Sequence, residues 1–356
     1  VSKLPTRLEF GAGLGSLALL SSLSAPSPAR ADDYRLSIIA GNSTPGIFDT
    51  LELVAAGAGF YKEANLTVDK DYAAGAGTAA QLVASGKADV ASLSVEPVLV
   101  GYDKGIKLQF FLSRQARYSY VLAVLNDSPI RTLEDFKGKT LGEVNAGSAA
   151  EVTTQSMLAG VGIKPSEYNY IPLGIGAAPL TALVNKKVDG VAFPYLEIAQ
   201  DTVLGGVTFR VFRHPILQYI SNVGYAAYPN VIAAKAEALK RFSRAIVKAA
   251  ILVRVNPAAA ARLYLQGSGQ HVTGDALANT TKIFQLLEGD FPAADLANPR
   301  ICDVSPQGLQ LYSTYLAQFG MIKAPVSGAA VATDQFIAYA NDFDKKALIA
   351  YARGLH

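Results

Sequence analysis

Two stretches of this chain, LVASGKADVASLSVEP at 82–97 and LVNKKVDGVAFPYLE at 183–197, repeat one pattern. Each has a leucine-valine helix end, a short basic turn, a Lys-x-Asp (Lys87 and Asp89, Lys187 and Asp189), a small apolar run and a closing acid, Glu96 or Glu197. A helix that reverses into a short strand of small and β-branched residues is part of a βα unit. Its recurrence about a hundred residues later calls for two α/β lobes. The length of 356 residues agrees, being too long for one ordinary core and suited to two lobes of roughly 100–200 residues.

Short strands alternate with helices through both halves. Residues 34–40 read as a strand that runs into the loop Gly41 to Gly46, with a helix over 48–60. Residues 66–72 form the next strand, followed by the small-residue loop Ala73 to Thr78 and a helix over 79–85. Strands follow at 90–93, 108–112 and 120–125. A second series then opens with a strand at 140–144, the loop Asn145 to Ser148 and a helix over 149–159, and continues with strands at 168–172 and 188–192. Such alternation marks a mostly parallel sheet. Near 219–228 the chain crosses back, and the remainder reads as helices over 235–255, 274–286, 305–319 and 333–351, interrupted at Asn256-Pro257 because the residue before proline resists the helical region. The expected organisation is a leader at 1–31, a first lobe of 32–125 plus 225–356, and a second lobe of 126–224.

The leader rests on Lys3 and Arg7 ahead of an apolar run from Phe10 to Leu23, then Ala29-Arg30-Ala31, the layout of a secretory signal peptide. No cysteine follows that run, so a lipid anchor is not expected. Export implies an oxidising compartment, yet the single cysteine, Cys302, permits no internal disulfide. Three histidines without metal-ligand spacing argue against a metal site. A net charge of +3 without a basic cluster argues against nucleic acid as a partner. His214 and His271 have no serine or cysteine partner at a nucleophile's spacing, so no catalytic residue is assigned and a binding role is expected.

Open α/β sheets collect ligands at the carboxyl ends of their strands. Ser94 and Glu96 close the first copy of the repeat, and Phe193, Tyr195 and Glu197 close the second, so facing lobes would deliver them to one cleft. Gly75, Gly77 and Thr78 form a loop with exposed backbone N-H groups at a helix start, suited to an anionic or strongly polar group. Asn42, Ser43 and Thr44 follow the first strand and offer amide and hydroxyl contacts. Arg114 lies just past a strand end, where it can meet an anion or pair with Glu96 or Glu197. Tyr118 can wall the pocket or pack in the core.

The ordered set Gly-Phe-Tyr-Lys-Glu-Ala-Asn-Leu at 59–66, Gly75-Ala-Gly77-Thr78, Leu82 to Asp89, Asp127 to Ile130, Leu133 to Lys139, Gly162 to Pro165 and Leu183 to Asp189 resembles the nitrate/sulfonate/taurine class of ABC-transporter substrate-binding proteins, which includes the thiamine-pyrimidine (NMT1/THI5-like) branch. The resemblance spans about residues 34–230. It implies a type II periplasmic-binding-protein fold, with two α/β lobes, a hinge and an interlobe ligand cleft. It also implies a periplasmic location, a small-molecule ligand, an inner-membrane ABC permease as partner, no cofactor, and a monomer. By the same resemblance Asn145, Gly147 and Ser148 would form the second lobe's counterpart of the Gly75 loop. The stretch from Phe193 to Glu197 resembles the aromatic-plus-glutamate wall of pyrimidine binders, which favours a pyrimidine or amine-like solute over sulfonate, taurine or nitrate. A sensor or structural binding module, or a pyrimidine-synthesising enzyme of the same fold, are the alternatives.

Overall fold

Ten strands form two five-stranded sheets of matching topology. The computed structural model describes residues 34–144, 148–214 and 217–355. The expected leader, Asn145 and Gly147 lie outside the described residues.

The first sheet contains β1 (Tyr34–Ala40), β2 (Leu66–Tyr72), β3 (Val90–Ser94), β4 (Gln109–Ser113) and β10 (Val223–Ala227), in the order β2-β1-β3-β10-β4. The second contains β5 (Tyr120–Leu125), β6 (Thr140–Glu143), β7 (Asn169–Pro172), β8 (Gly190–Pro194) and β9 (Phe209–Phe212), in the order β7-β6-β8-β5-β9. In each sheet three neighbouring strands are parallel, and the fourth runs antiparallel to both its neighbours. That fourth strand comes from across the molecule. β5 follows β4 in sequence yet pairs with β8 and β9, and β10 follows β9 yet pairs with β3 and β4.

Two crossovers therefore join the lobes, at 114–119 and 213–222. This corrects the expected boundaries: residues 120–125 belong to the second lobe, and the return to the first begins at Val223. Sequence adjacency suggested that β5 continued the first sheet, but an apolar strand carries no mark of which sheet it will enter. Strands buried on both faces, such as β3, β8 and β10, read as short apolar runs for the same reason.

The repeated phrase folds twice in the same way, at an offset of 100 residues. Gly86 and Lys186 both turn the chain with positive φ, 72° and 55°. Lys87 N-H donates to the Leu82 carbonyl and Lys187 N-H to the Ala182 carbonyl. Asp89 N-H donates to Ser37 O of β1 and Asp189 N-H to Thr140 O of β6, each at the entry of a strand parallel to that neighbour. Past the strands, Val95 N-H donates to Asn222 O and Tyr195 N-H to Ser119 O. This register pairs Glu96 with Leu196, not with Glu197. The two acids that look equivalent in the sequence are one residue apart, and on a helix one residue is about 100° of rotation.

The C-terminal helices brace the first lobe. The 20-residue helix Ala236–Val255 buries Leu239, Phe242, Ile246 and Ala250, and Phe242 meets Tyr225 of β10 edge-on at 4.9 Å. Asn256 ends it and caps the next helix by accepting from Ala259 N-H at 3.0 Å. The single helix expected over 333–351 forms as two, Ile337–Asn341 and Lys345–Arg353. Asp344 restarts the helix by accepting from Ala347 N-H at 2.9 Å, as an aspartate N-cap does. Helix Tyr195–Leu204 of the second lobe packs Leu196 and Ala199 into the first lobe's core. No helix among the described residues is long and apolar enough to cross a membrane.

Candidate ligand-binding site

A cavity of about 290 Å³ opens where the carboxyl ends of the parallel strands of both sheets face each other. The first lobe contributes Asn42, Ser43, Phe48, Gly75 and Ser92, the first crossover Arg114, Gln115 and Ser119, and the second lobe Val144, Gly174, Ile175 and Pro194. Its size suits a small solute.

The Asn42 loop is shaped from below by Asp49, which is completely buried. Asp49 accepts from Gly46 N-H at 2.8 Å and from Asn42 Nδ2 at 3.2 Å, and pairs with Lys70. Asn42 Nδ2 also donates to Thr44 O at 2.7 Å, so Thr44 caps the turn from outside while Asn42 and Ser43 reach the wall. Gly75 holds φ 110° immediately before helix Ala76–Ala84. Gly77 and Thr78 fall within that helix and are solvent-exposed, because the helix begins at Ala76, three residues earlier than the sequence suggested.

Arg114 is the only charged side chain on the wall among the described residues. Its Nη1 donates to Phe48 O at 2.9 Å and to Ser92 Oγ at 3.1 Å. The other guanidinium nitrogens make no hydrogen bond to the described protein. Behind it lies Glu52, whose Oε1 accepts from Lys70 at 3.1 Å and Ser92 at 3.3 Å. Burial pushes the Glu52 carboxyl up, but Lys70 and Arg114 outweigh it and hold the group below its ordinary value. The guanidinium is thus braced from beneath with donors left for the cavity.

Several expected contacts lie elsewhere. Glu96 is 1% exposed and bonded to Asn222, Tyr312 and Tyr118, one layer behind the wall. Tyr118 and Ser94 are buried in that same layer. Phe193 packs in the second lobe's core with Val121 and Ile198. Tyr195 lies under the Arg213 guanidinium at 4.1 Å. Ser148 caps helix Ala149–Ala159, accepting from Glu151 N-H at 3.4 Å. Glu197 accepts from Gly176 N-H at 3.4 Å, and burial raises its carboxyl to about 7. It therefore holds the Gly174 to Gly176 loop that forms the wall.

That loop follows β7 and precedes helix Ala177–Val184, just as the Gly75 loop follows β2 and precedes its helix. It is the second lobe's counterpart of the Gly75 loop. The signal was in the sequence, since Gly174-Ile-Gly176 stands directly before the helix that leads into the second copy of the repeat. Gln115, Ser119 and Tyr120 carried no such signal, because their place depends on the crossover.

The NMT1/THI5-like family matches residues 50–260, more than half of the chain. The chain belongs to this family. Its fold is shared by solved structures of low identity. A protein of Bordetella bronchiseptica RB50 is 22% identical, with TM-score 0.69 over 86% of this chain and 97% of that one. The alkanesulfonate-binding protein SsuA of Xanthomonas axonopodis pv. citri, bound to MOPS, is 15% identical, with TM-score 0.65 over 85% and 100%. The periplasmic aliphatic sulphonate binding protein SsuA of Escherichia coli is 15% identical, with TM-score 0.63 over 84% and 92%. No curated protein matches the sequence. The two SsuA structures are those of sulfonate-binding proteins, and the two-sheet architecture is the periplasmic binding protein fold.

Proposed function

We propose that this protein is the periplasmic solute-binding component of an ABC importer, that its solute is a small organic anion, and that it delivers the solute to an inner-membrane permease. The observation that carries the anion reading is Arg114, the one charged group on the cavity wall among the described residues, with donors left unused by the protein. The Gly75 loop at the start of helix Ala76–Ala84 adds to it, because helix N-termini carry partial positive charge. Phe48, Ile175 and Pro194 supply apolar surface for an organic substituent. A sulfonate or carboxylate suits this wall, and the sulfonate-binding proteins that share the fold support the sulfonate.

The preference for a pyrimidine or amine drawn from the sequence rested on the stretch from Phe193 through Tyr195 to Glu197. None of these three side chains lines the cavity, so the anion is the favoured cargo. Binding would proceed by capture on one lobe and closure of the other, with Arg114, Ser43 and the Gly75 loop meeting the anion and the Gly174 to Gly176 loop completing the wall.

The test is native mass spectrometry of gently purified protein, followed by calorimetry over alkanesulfonates, taurine, nitrate, aromatic carboxylates and pyrimidines. A charge-assisted hydrogen bond contributes about 1.5–3 kcal/mol, so Arg114→Met should weaken an anion by about ten- to a hundredfold. A neutral pyrimidine that binds wild type and Arg114→Met equally would overturn the anion reading.

A further inference from the structure

Behind the cavity, four short oxygen-oxygen contacts run from the first lobe to the second, beside a longer side contact of 3.3 Å between Tyr118 OH and Glu96 Oε1. Glu96 Oε1 lies 2.8 Å from Tyr312 OH. Tyr312 OH lies 2.7 Å from Tyr118 OH, and Tyr118 OH 2.7 Å from Thr153 Oγ1. Thr153 Oγ1 donates to Ala149 O at 2.7 Å. Glu96 starts a first-lobe helix, Tyr312 belongs to the bracing helix Pro306–Gln318, Tyr118 to the first crossover, and Thr153 and Ala149 to a second-lobe helix.

Each of the four contacts is short enough to require a proton between its oxygens, since two lone pairs at that distance repel. The three hydroxyls hold three protons, and four contacts need four. Thr153 uses its own toward the Ala149 carbonyl, so Tyr118 must donate to Thr153 and Tyr312 to Tyr118. The contact between Tyr312 and Glu96 is then left without a proton unless the carboxyl supplies it.

We infer that Glu96 is a neutral carboxylic acid and a positioning residue of the hinge: it donates to Tyr312 and sets a one-way hydrogen-bond chain from Glu96 to Ala149 that ties the lobes together. The second crossover is tied to the same group. Asn222 Oδ1 accepts from Ser119 N-H at 2.9 Å, which fixes the amide orientation, and Asn222 Nδ2 then donates to Glu96 Oε1 at 2.5 Å. Ser119 also stands on the cavity wall, so the chain reaches the site through both crossovers. Glu96 Oε2 is buried and makes no hydrogen bond of ordinary geometry, with only the Ser94 hydroxyl and the residue's own backbone N-H bearing on the carboxyl, a setting less costly for a neutral acid than for a charged carboxylate. The ionisable groups that face Glu96 are Tyr118, Tyr120 and Tyr312, with His214 beyond Tyr118 at 6.2 Å between rings. Burial raises its carboxyl above the ordinary value, against the opposing bond from the Asn222 amide. The inference needs the two-lobe fold but not the identity of the cargo.

Two measurements on the full chain test it. Infrared difference spectra of wild type against Glu96→Gln, both labelled with ¹³C-glutamate, should show at neutral pH one protonated-carboxyl band that is lost in the variant. No such band would overturn the proton assignment. For the hinge, paired spin labels at Lys87→Cys and Lys187→Cys report the interlobe distance in solution. Both lysines are exposed, and the native Cys302 is buried, so labelling is selective. Thr153→Val breaks the chain at its second-lobe end without touching Glu96. It should broaden the wild-type distance distribution to about twice its width or add a second population several ångström away. A lowered melting temperature with an unchanged distribution would reduce the chain to ordinary packing and overturn the positioning role.

Discussion

Asp89 and Asp189 make the same bond in the two lobes. Asp89 Oδ2 accepts from Ser37 N-H at 2.9 Å, and Asp189 Oδ2 accepts from Thr140 N-H at 2.8 Å. Each fastens the entry of one strand, β3 or β8, to the parallel strand beside it, β1 or β6, at the end far from the cavity. Asp89 does more, because it also accepts from Ser37 Oγ at 2.9 Å and Lys235 Nζ at 2.7 Å, while Asp189 is exposed.

Replacing these residues should therefore have unequal effects. Asp89→Ala should cost about 1–3 kcal/mol of unfolding free energy and Asp189→Ala clearly less, read from urea midpoints at pH 7. Burial pushes the Asp89 carboxyl up, but its bonds to Lys235 and Ser37 hold it below 3.8. Its contribution is thus fully present above about pH 4 and disappears as the pH falls through the depressed value. Equal losses for the two variants, or a difference that does not shrink as the pH falls below about 4, would contradict this account.

At φ 110°, Gly75 adopts a backbone conformation that side chains disfavour, although no atom stands within 4 Å of where a Cβ would be. Gly75→Ala should therefore be strained by about 1–2 kcal/mol through the backbone alone. The strained loop lies on the cavity wall, so affinity for the cargo should drop with stability. Gly77→Ala, exposed within the helix and off the wall, should leave affinity unchanged and raise stability slightly, by about 0.5–1 kcal/mol. Calorimetry and thermal melts on both variants separate the positions, and the opposite order would place the functional glycine at 77.

Glu197 and Glu143 are both pushed up to about 7, Glu197 by burial and Glu143 by burial and then by the nearby Glu151 charge. The sign follows from linkage. Between about pH 4.5 and 7 the unfolded chain has lost protons that the folded protein still holds, so stability falls as the pH rises through that window. At about 1.4 kcal/mol per pH unit, each site contributes a few kcal/mol at most. Glu197→Gln should flatten the decline and stabilise the protein more at pH 7.5 than at pH 5. The Gly176 N-H can still donate to the amide oxygen, so cargo affinity should change little. A large affinity loss in Glu197→Gln would instead return Glu197 to the ligand contacts.

Much of the site was legible where a side chain or loop acts within its own strand-loop-helix unit. Asn42, Ser43, Gly75 and Arg114 lie just past strand ends, and all four reach the wall. The glutamates were misplaced because the repeat fixes their order along the chain but not their rotation on the following helix. Pairing Glu96 with Leu196 turns one side chain into the hinge layer and leaves its counterpart in the first lobe's core. Ser119 and Gln115 were invisible for a different reason: nothing local distinguishes a crossover that lines a cleft from a loop in solvent.

By itself the sequence determined two α/β lobes, the small-residue loops at their strand ends and the helical brace, because these follow from hydrophobic period, turn chemistry and the duplicated Lys-x-Asp, all local properties of the chain. Only the tertiary structure decided which lobe β5 and β10 join, and that the glycine loops at 75 and 174–176 face one another across a wall with one arginine. It also decided that Glu96 meets Tyr312, 216 residues away. Those relationships depend on strand exchange between two sheets. Pairing energy between buried apolar strands is nearly the same in either sheet, so the choice is made by the packing of the whole molecule and not by any stretch of it.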